Sequence, residues 1–312
     1  GAWFGRRAVL GAGLYVALGP AYLLYKGLTS DGHYGPVLLV GGACCLFQAL
    51  VVRRAEDGSG FGPRLFFLGL LHGVGIWVSP LCFSYLAPSA VVLLSRPVRP
   101  MLRPRELALS LLGALVGSVP WWLRNLETGF ASLEIPGVRS PDVSTFVERG
   151  RSLLSEGLPT LLGPAAIETG KPTLGWSFAL AVCVALIVSV LGVAGATARS
   201  AKPATRTGLN ASAALILVSV GLALGVRGQD EPPEIRNFRE PRTLIPFYVG
   251  FVPIVGHAFS RLARSRPAAL GLGAALAAVH VSGWAQMPKW KGLESGEARE
   301  VTVVLEGLRQ AD

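Results

Sequence analysis

Nine runs of apolar residues follow one another along the chain, and most of them approach the about 20 residues that an α-helix needs to cross a lipid bilayer. The runs cover residues 9–25, 37–52, 65–78, 81–94, 107–123, 176–198, 209–226, 244–262 and 268–285. Polar connections separate them. The pattern predicts an all-α fold, a polytopic transmembrane helix bundle with about nine spans.

Arginine-rich connections alternate along the chain, and they indicate an orientation, because positively charged connections prefer the cytoplasmic side. With alternate connections assigned to the cytoplasm, that side holds fifteen of the 29 Lys and Arg residues but only three of the 19 Asp and Glu residues. The positive residues are Arg6, Arg7, Arg53, Arg54, Arg64, Arg96, Arg99, Arg103, Arg105, Arg199, Lys202, Arg206, Arg261, Arg264 and Arg266. One assignment of sides therefore separates the charge along the whole chain.

The stretch between Arg64 and Arg96 crosses the bilayer twice in this scheme, because both arginines then lie on one side. The turn falls near Ser79 and Pro80. Each arm is short, since a helix of about 14 residues spans ~21 Å and the hydrocarbon core is ~30 Å thick. Such arms either thin the bilayer or line a recess, and we favour the recess.

The composition agrees with a lipid environment. Apolar residues make up 51% of the chain and charged residues 15%, against roughly 25% charged in an ordinary soluble protein. The net charge is +10, but the basic residues lie between apolar runs, so we expect the lipid bilayer and not nucleic acid as partner. The four cysteines lie inside apolar runs without a CxxC pair, which indicates buried free thiols.

Two connections on the predicted outer side are long. We predict that residues 1–286 form the transmembrane bundle and that these two connections, 125–175 and 227–242, are its outer loops. Within the first loop, Ser140-Pro141-Asp142 is a helix-start signal. The apolar residues that follow it predict an amphipathic helix on the membrane or over a cavity. Residues 287–312 have an apolar helical face and are interpreted as the start of a truncated extracytoplasmic region.

Small and polar residues inside the runs indicate packing rather than chemistry. Three glycine pairs with a spacing of four residues predict faces where helices approach closely. They are Gly69 with Gly73, Gly113 with Gly117, and Gly221 with Gly225. His72, His257 and His280 have no acidic neighbour in the same run, and we interpret them as packing residues that face the bundle interior.

Five segments resemble a known family. They are WFGRRAVLGAGLYVALGPAYLLYKGL, GLLHGVGIWVSPLCFSYLAPSAVVLL, LLGALVGSVPWWLRNLETGFAS, GLPTLLG and FREPRTLIPFYVGFVPIVGHAF. In this order they resemble segments of the GT-C membrane glycosyltransferases, and the most similar branch is the protein-mannosyltransferase and aminoarabinose-transferase group. The resemblance rests on the placing of Gly, Pro, aromatic residues and Arg in apolar sequence, and it covers most of the chain.

The resemblance implies an enzyme that moves a sugar from a polyprenyl-phosphate donor to a glycan, lipid or protein acceptor. The active face is extracytoplasmic, and we expect a multi-pass protein of the bacterial inner membrane. In the family, a carboxylate in the first outer loop acts at the reaction centre. This chain begins at Gly1, at what would be a later span. We therefore expect a fragment whose catalytic carboxylate precedes Gly1 and which is inactive alone.

Three arginines at outer ends of the runs are candidates for binding the donor phosphate, namely Arg242, Arg239 and Arg124. A guanidinium group pairs bidentately with phosphate oxygens at the membrane surface. Members of the family often have Arg-Tyr before Leu-Leu-Pro, whereas Thr243 follows Arg242 here. The alternative role for each arginine is to reach toward lipid headgroups.

Four other residues are candidates for contact with substrate or metal, namely Asp31, His33, Glu240 and Asn125. Asp31 and His33 place a carboxylate and an imidazole in one short turn, which supplies part of a ligand set for a divalent metal ion. Asp31 is equally an ordinary turn residue. No other cofactor is expected.

Two other classes of function compete with the transferase. A transporter or lipid flippase would need polar or ionisable residues along a pathway near the bilayer midplane, and the runs contain almost no carboxylates. A non-catalytic membrane scaffold that packs against partner proteins is the third interpretation. Residues upstream of Gly1 would separate the scaffold from the enzyme.

Overall fold

The computed structural model describes residues 3–17, 19–20, 22–23, 34–130, 143–163, 200–225 and 242–262, with single residues between 183 and 198 and between 273 and 281. This part of the chain is helical and contains no strand. The predicted all-α fold is therefore confirmed.

The α-helices of the described part are α1 (Arg6–Ala17), α2 (Tyr34–Glu56), α3 (Gly62–Val78), α4 (Leu86–Leu93), α5 (Pro104–Gly117), α6 (Val119–Thr128), α7 (Val143–Ser152), α8 (Leu158–Leu162), α9 (Pro203–Gly225) and α10 (Ile245–Leu262). Shorter 3-10 helices occupy Pro80–Tyr85, Arg99–Met101 and Arg242–Leu244, and a π-helical turn, Leu153–Gly157, joins α7 to α8. Proline stands in the first turn of α3, α5 and α6, where its missing N–H costs no helical hydrogen bond.

Three of these helices are long and apolar enough to cross a membrane: α2 and α9 with 23 residues each, and α10 with 18. The consecutive helices α5 and α6 make a fourth if they count as one span, although they are bent by 53°. The described part of the chain thus supports three or four spans and does not support the predicted nine.

The shortfall has local causes. Within the predicted run 107–123, the Ser118 hydroxyl donates to the carbonyl groups of Ala114 and Leu115 at 2.8 and 3.1 Å, and Pro120 follows. Both features bend helices. The first run forms α1 only as far as Ala17. Most of the predicted spans 176–198 and 268–285 lies outside the described residues.

The predicted turn between the two short arms is also present. Helix α3 ends at Val78, and Ser79 is extended, with φ −170° and ψ 143°. The Ser79 hydroxyl accepts a hydrogen bond from the Leu81 backbone N–H at 3.3 Å. The second arm then begins as the 3-10 helix at Pro80 and continues as α4, so it contains no long α-helix.

Helix α2 lies in the centre of the bundle and contacts α3, α4, α9 and α10. Helices α1 and α9 pack on α10, and α4 packs on α9. Tyr85 enters the core beside Gly41, where a Cβ atom would lie only 2.3 Å from its ring. The buried Tyr85 hydroxyl donates to the Val37 carbonyl at 3.0 Å, which ties the 3-10 helix to α2.

Two of the three predicted glycine faces meet each other between α3 and α5. A Cβ at Gly69 would lie 1.9 Å from the Ser110 carbonyl oxygen, and one at Gly113 would lie 2.0 Å from the Phe66 carbonyl oxygen. Gly73 and Gly117 make the same kind of contact with backbone. This close approach is confirmed. The third pair stays a prediction, since Gly221 and Gly225 have no neighbour within 4 Å among the described residues.

Three of the arginine-rich connections lie at one end of the bundle. The Glu56 side chain, at the end of α2, accepts a hydrogen bond from the Ala204 backbone N–H at the start of α9, at 2.8 Å. The Thr205 hydroxyl donates to the Trp3 carbonyl at 3.1 Å, which brings the start of α1 to the same place. We call this the basic end, and it carries Arg6, Arg7, Arg53, Arg54, Lys202 and Arg206. The compartment that it faces stays a prediction.

The opposite end of the bundle holds the C-terminal end of α9 and the N-terminal end of α10. Helix α10 runs antiparallel to α9, because the ring of Phe4 at the basic end lies 5.1 Å from that of His257 near the C-terminus of α10. Helices α7 and α8, from the predicted first outer loop, lie at this opposite end, near Ala223 and Tyr248. We call it the outer-loop end.

Candidate functional site

A buried arginine docks the first outer loop onto the bundle. Arg149 of α7 is 4% exposed, and its Nε and Nη2 donate to the Ala223 carbonyl at 3.2 and 2.5 Å. This carbonyl lies in the last turn of α9, where carbonyl groups lack helical partners and the helix dipole is negative. Phe146 and Val147 are exposed on the same helix. Helix α7 thus follows the predicted helix-start signal, and its buried and exposed residues lie on different faces, as in the predicted amphipathic helix.

Helix α8 continues this segment into the bundle. All of its residues, Leu158–Leu162, are buried. The Tyr248 hydroxyl of α10 donates to the Leu161 carbonyl at 2.5 Å. Gly163 ends the helix with φ +106°, a left-handed conformation that favours glycine. The outer loop is therefore held to α9 by Arg149 and to α10 by Tyr248.

A group of buried polar side chains belongs to α8 and to the segments that lie against it, and we call it the outer polar cluster. It consists of Tyr15, Thr160, Tyr248 and His280. The rings of Tyr15 and His280 are 5.3 Å apart and edge to face, and His280 also lies against Gly163. The hydroxyl groups of Tyr15 and Thr160 are buried and have no hydrogen-bond partner among the described residues.

This cluster is suited to binding a polar ligand. Each hydroxyl group is a donor and an acceptor, and the imidazole has one nitrogen for each role when it is neutral. Buried polar groups without partners are uncommon in proteins, and they occur preferentially where a ligand or a catalytic step uses them. The cluster has no carboxylate, so it supplies hydrogen bonds and not a negatively charged general base.

Arg124 and Asn125, two of the predicted site residues, lie elsewhere in the bundle. The Arg124 side chain is 72% exposed and pairs with Glu127 of the same helix at 3.4 Å. Asn125 is buried, but its Nδ2 donates to the Trp121 carbonyl one turn earlier, at 2.8 Å. Helix α6 packs on α3 and α5, whereas the turn at Arg242 packs on α9 and α10. Arg124 is therefore exposed, and its helix packs on other helices than the turn at Arg242 does.

The other five predicted site residues lie wholly or partly outside the described part of the chain. Asp31, His33, Arg239 and Glu240 lie outside the described residues. The backbone of Arg242 begins the 3-10 helix before α10 at the outer-loop end, and its side chain is outside the description. Within the part of the chain that the structure covers, no group of three or more His, Cys, Asp or Glu residues is arranged to hold a metal ion.

The histidines and cysteines inside the apolar runs make packing contacts. His72 bonds to the Ser89 hydroxyl at 2.8 Å, and His257 and His280 contact aromatic rings. All four cysteines are free thiols; Cys45 is half-buried and the other three are buried. Sequence analysis predicted both of these features.

Arg149, Tyr15, Thr160 and Tyr248 were not singled out in the sequence. The sequence does carry one signal for Arg149, because its charge lies inside the predicted amphipathic helix, about one turn after the apolar residues Phe146 and Val147. Gln48, the one amide in α2, is a similar signal, because a polar side chain in an otherwise apolar span faces the bundle interior. The three hydroxyl-bearing residues carry no such signal, since Tyr and Thr are common in helical spans.

Neither a protein-family model, nor a curated protein, nor a solved structure matches this chain. The fold and the long apolar helices therefore define its class. The described part of the chain is all-helical, and its three long apolar helices indicate a membrane protein.

Proposed function

We propose that this chain belongs to a membrane glycosyltransferase that moves a sugar from a polyprenyl-phosphate donor to an acceptor at the outer-loop end. The nine-span topology, with the basic end in the cytoplasm of a bacterial inner membrane, is part of this proposal. The acceptor is a glycan, a lipid or a protein. Arg239 and Arg242 are proposed to bind the donor phosphate, and a divalent metal ion to assist through Asp31, His33 or Glu240.

One observation carries the proposal: three of the family-like segments meet at the outer polar cluster. Tyr15 comes from the first of these segments, Thr160 from GLPTLLG and Tyr248 from the last. They are far apart in the chain, yet α1 packs on α10 and Tyr248 bonds to α8. The resemblance and the buried polar groups thus coincide at one end of the bundle.

The proposed reaction exchanges one bond to the sugar for another. The bond between the anomeric carbon and the carrier phosphate breaks, and polyprenyl phosphate leaves with the bonding electrons. A bond to the acceptor atom forms, and the acceptor gives its proton to a base, proposed to be a carboxylate. The outer polar cluster would hold sugar hydroxyl groups while the lipid tail stays in hydrocarbon. Arginine would neutralise the leaving phosphate.

The test uses the full-length protein, purified into lipid nanodiscs. It is incubated with a panel of polyprenyl-phosphate sugars and with glycan, lipid and peptide acceptors, and free polyprenyl phosphate and glycosylated product are measured together. Equal amounts of both are expected for one donor, with none from the donor alone.

The alternatives give different results in the same preparation. A transporter or flippase moves the lipid or sugar across a vesicle membrane without releasing polyprenyl phosphate. A scaffold does neither. Either result, obtained with a related active enzyme as positive control, would overturn the proposed transferase.

A further inference from the structure

A cavity of about 480 Å³ lies inside the bundle, within the size range of small-molecule sites. Helices α1, α2, α4, α9 and α10 all contribute to its wall. Trp3 and Gly208 lie at the part of the wall nearest the basic end, where Trp3 packs directly over Gly208. The wall reaches from there along α1 to Val16, and none of the wall residues belongs to the outer polar cluster.

The wall of the cavity is almost entirely apolar. Among the described wall residues none is charged, and only the side chains of Gln48 and Ser212 contain oxygen atoms. Val9, Val16 and Leu46 belong to the wall and are also about half exposed on the outside of the bundle. We therefore expect the mouth to open between α1 and α2, toward the hydrocarbon of the bilayer rather than toward water.

The orientation of Gln48 follows from its hydrogen bonds. Its Nε2 donates to the Ser89 hydroxyl at 2.9 Å, and the Ser89 hydroxyl donates its single hydrogen to the Tyr85 carbonyl at 3.1 Å. Ser89 therefore acts as acceptor toward Gln48, and also toward His72 Nε2 at 2.8 Å. This arrangement fixes the amide nitrogen on the side of Ser89.

The amide oxygen of Gln48 consequently points away from Ser89. Gln48 is 1% exposed, and its Oε1 has no hydrogen-bond partner among the described residues. An unpaired acceptor in an apolar environment is unfavourable. Gln48 lies eight residues before the end of α2 at Glu56, or ~12 Å below the basic end. Gln48 is also a wall residue of the cavity, so a donor group bound in the cavity is the candidate partner for this oxygen.

We propose that the cavity binds a neutral lipid alcohol, whose hydroxyl group donates to Gln48 Oε1 and whose apolar chain leaves between α1 and α2. A charged headgroup does not fit, because the wall offers it no opposite charge and burial of an unpaired charge is strongly unfavourable. A ligand without a donor leaves Oε1 unpaired. This site is separate from the proposed donor site, and it does not depend on the transferase activity.

The experiment compares two probes that differ in one hydrogen-bond donor. The complete protein in nanodiscs is labelled with a photoreactive, clickable analogue of 1-hexadecanol, and cross-linked peptides are identified by mass spectrometry. Unlabelled 1-hexadecanol and its methyl ether then compete with the probe. We expect labelling of α1, α2 and α9, and competition by the alcohol about tenfold better than by the ether, the effect of one buried hydrogen bond.

Two variants test the assignment. Gln48→Met keeps the length of the side chain and removes the acceptor, so the preference for alcohol over ether is expected to fall to about twofold or less. Ala49→Trp places a large ring in the cavity and is expected to reduce labelling by both probes. The control Leu111→Trp, on the exposed face of α5, should leave labelling unchanged. Each variant is first shown to elute as the wild type does in detergent.

Three results would overturn the proposal. The first is equal competition by alcohol and ether in the wild type, and the second is a preference that Gln48→Met does not change. The third is labelling spread over the exposed faces of the bundle, which indicates bulk lipid. Stronger competition by a polyprenyl phosphate would assign the cavity to a charged carrier instead. The wild-type comparison stands even if a variant fails to fold.

Discussion

Removal of the Tyr15 and Thr160 hydroxyl groups tests whether the outer polar cluster binds a ligand or only packs. Both are buried without a hydrogen-bond partner among the described residues, and a buried hydroxyl that stays unpaired destabilises a folded protein by about 1–3 kcal/mol. Removing them by Tyr15→Phe and Thr160→Val should therefore leave the thermal stability in detergent unchanged or higher. If they hold the sugar, the rate of transfer should fall by about tenfold for each lost hydrogen bond.

Tyr248→Phe is the matched control for these variants. Its hydroxyl already donates to the Leu161 carbonyl, so its loss should lower stability by about 0.5–1.5 kcal/mol. A thermal melt and a transfer assay on the same samples separate the two effects. Full transfer activity in both Tyr15→Phe and Thr160→Val would contradict a role of the cluster in the reaction.

Arg149 belongs to the structure of the outer-loop end. Arg149→Met removes its two hydrogen bonds to the Ala223 carbonyl and should destabilise the docked segment by about 1.5–3 kcal/mol, the range for hydrogen bonds of charged groups. The measurement is limited proteolysis within residues 143–163 together with a thermal melt. Arg151→Met is the control, because Arg151 lies in the same helix with an exposed side chain. Equal sensitivity of the two variants would show that Arg149 does not anchor α7.

At the scale of elements, the packing of α3 on α5 depends on glycine. A Cβ at Gly113 would come within 2.0 Å of the Phe66 carbonyl oxygen, so the two helices must separate to accept it. Gly113→Ala should destabilise the protein by about 1–3 kcal/mol, the usual cost of overpacking. Gly221→Ala adds the same methyl group where no described neighbour lies within 4 Å and should be neutral or stabilising by up to about 1 kcal/mol.

Thermal melts of both glycine variants in one detergent check this prediction. A similar melting temperature for the two would mean that α3 and α5 do not approach as closely as their backbones do here. A lower melting temperature for Gly221→Ala alone would place a neighbour against that face of α9.

The elements differ in how far the apolar pattern predicts them. Two glycine pairs and the helix start after Asp142 follow from local spacing, and the structure confirms them. The glycine pair of α9 has the same spacing, but no close neighbour among the described residues. The spacing of glycines predicts a smooth helix face and does not identify the helix that packs on it. The bend at Ser118 depends on a side chain that bonds to its own helix, so the apolar run 107–123 continues through a break.

For the whole molecule, the candidate sites depend on contacts between distant parts of the chain. Gln48 bonds to a residue 41 positions away, Arg149 to one 74 away and Tyr248 to one 87 away. The sequence contains these residues but no pattern that pairs them. A charged residue at the end of an apolar run is visible in the sequence, as Arg124 is, but its position does not show what it contacts. The structure gives Arg124 an exposed side chain.

The orientation of the bundle is the most general property to test. The connection 97–105 is predicted to face the cytoplasm and the connection 231–240 the opposite compartment, so Arg99→Cys and Glu234→Cys should react with a membrane-impermeant maleimide from opposite sides. Background from the native thiols should be low, since three are buried and Cys45 is half-buried. Lys202→Cys, at the basic end, should react like Arg99→Cys. Reaction of Arg99→Cys and Glu234→Cys from the same compartment would remove both the topology and the outer face on which the proposed transferase depends.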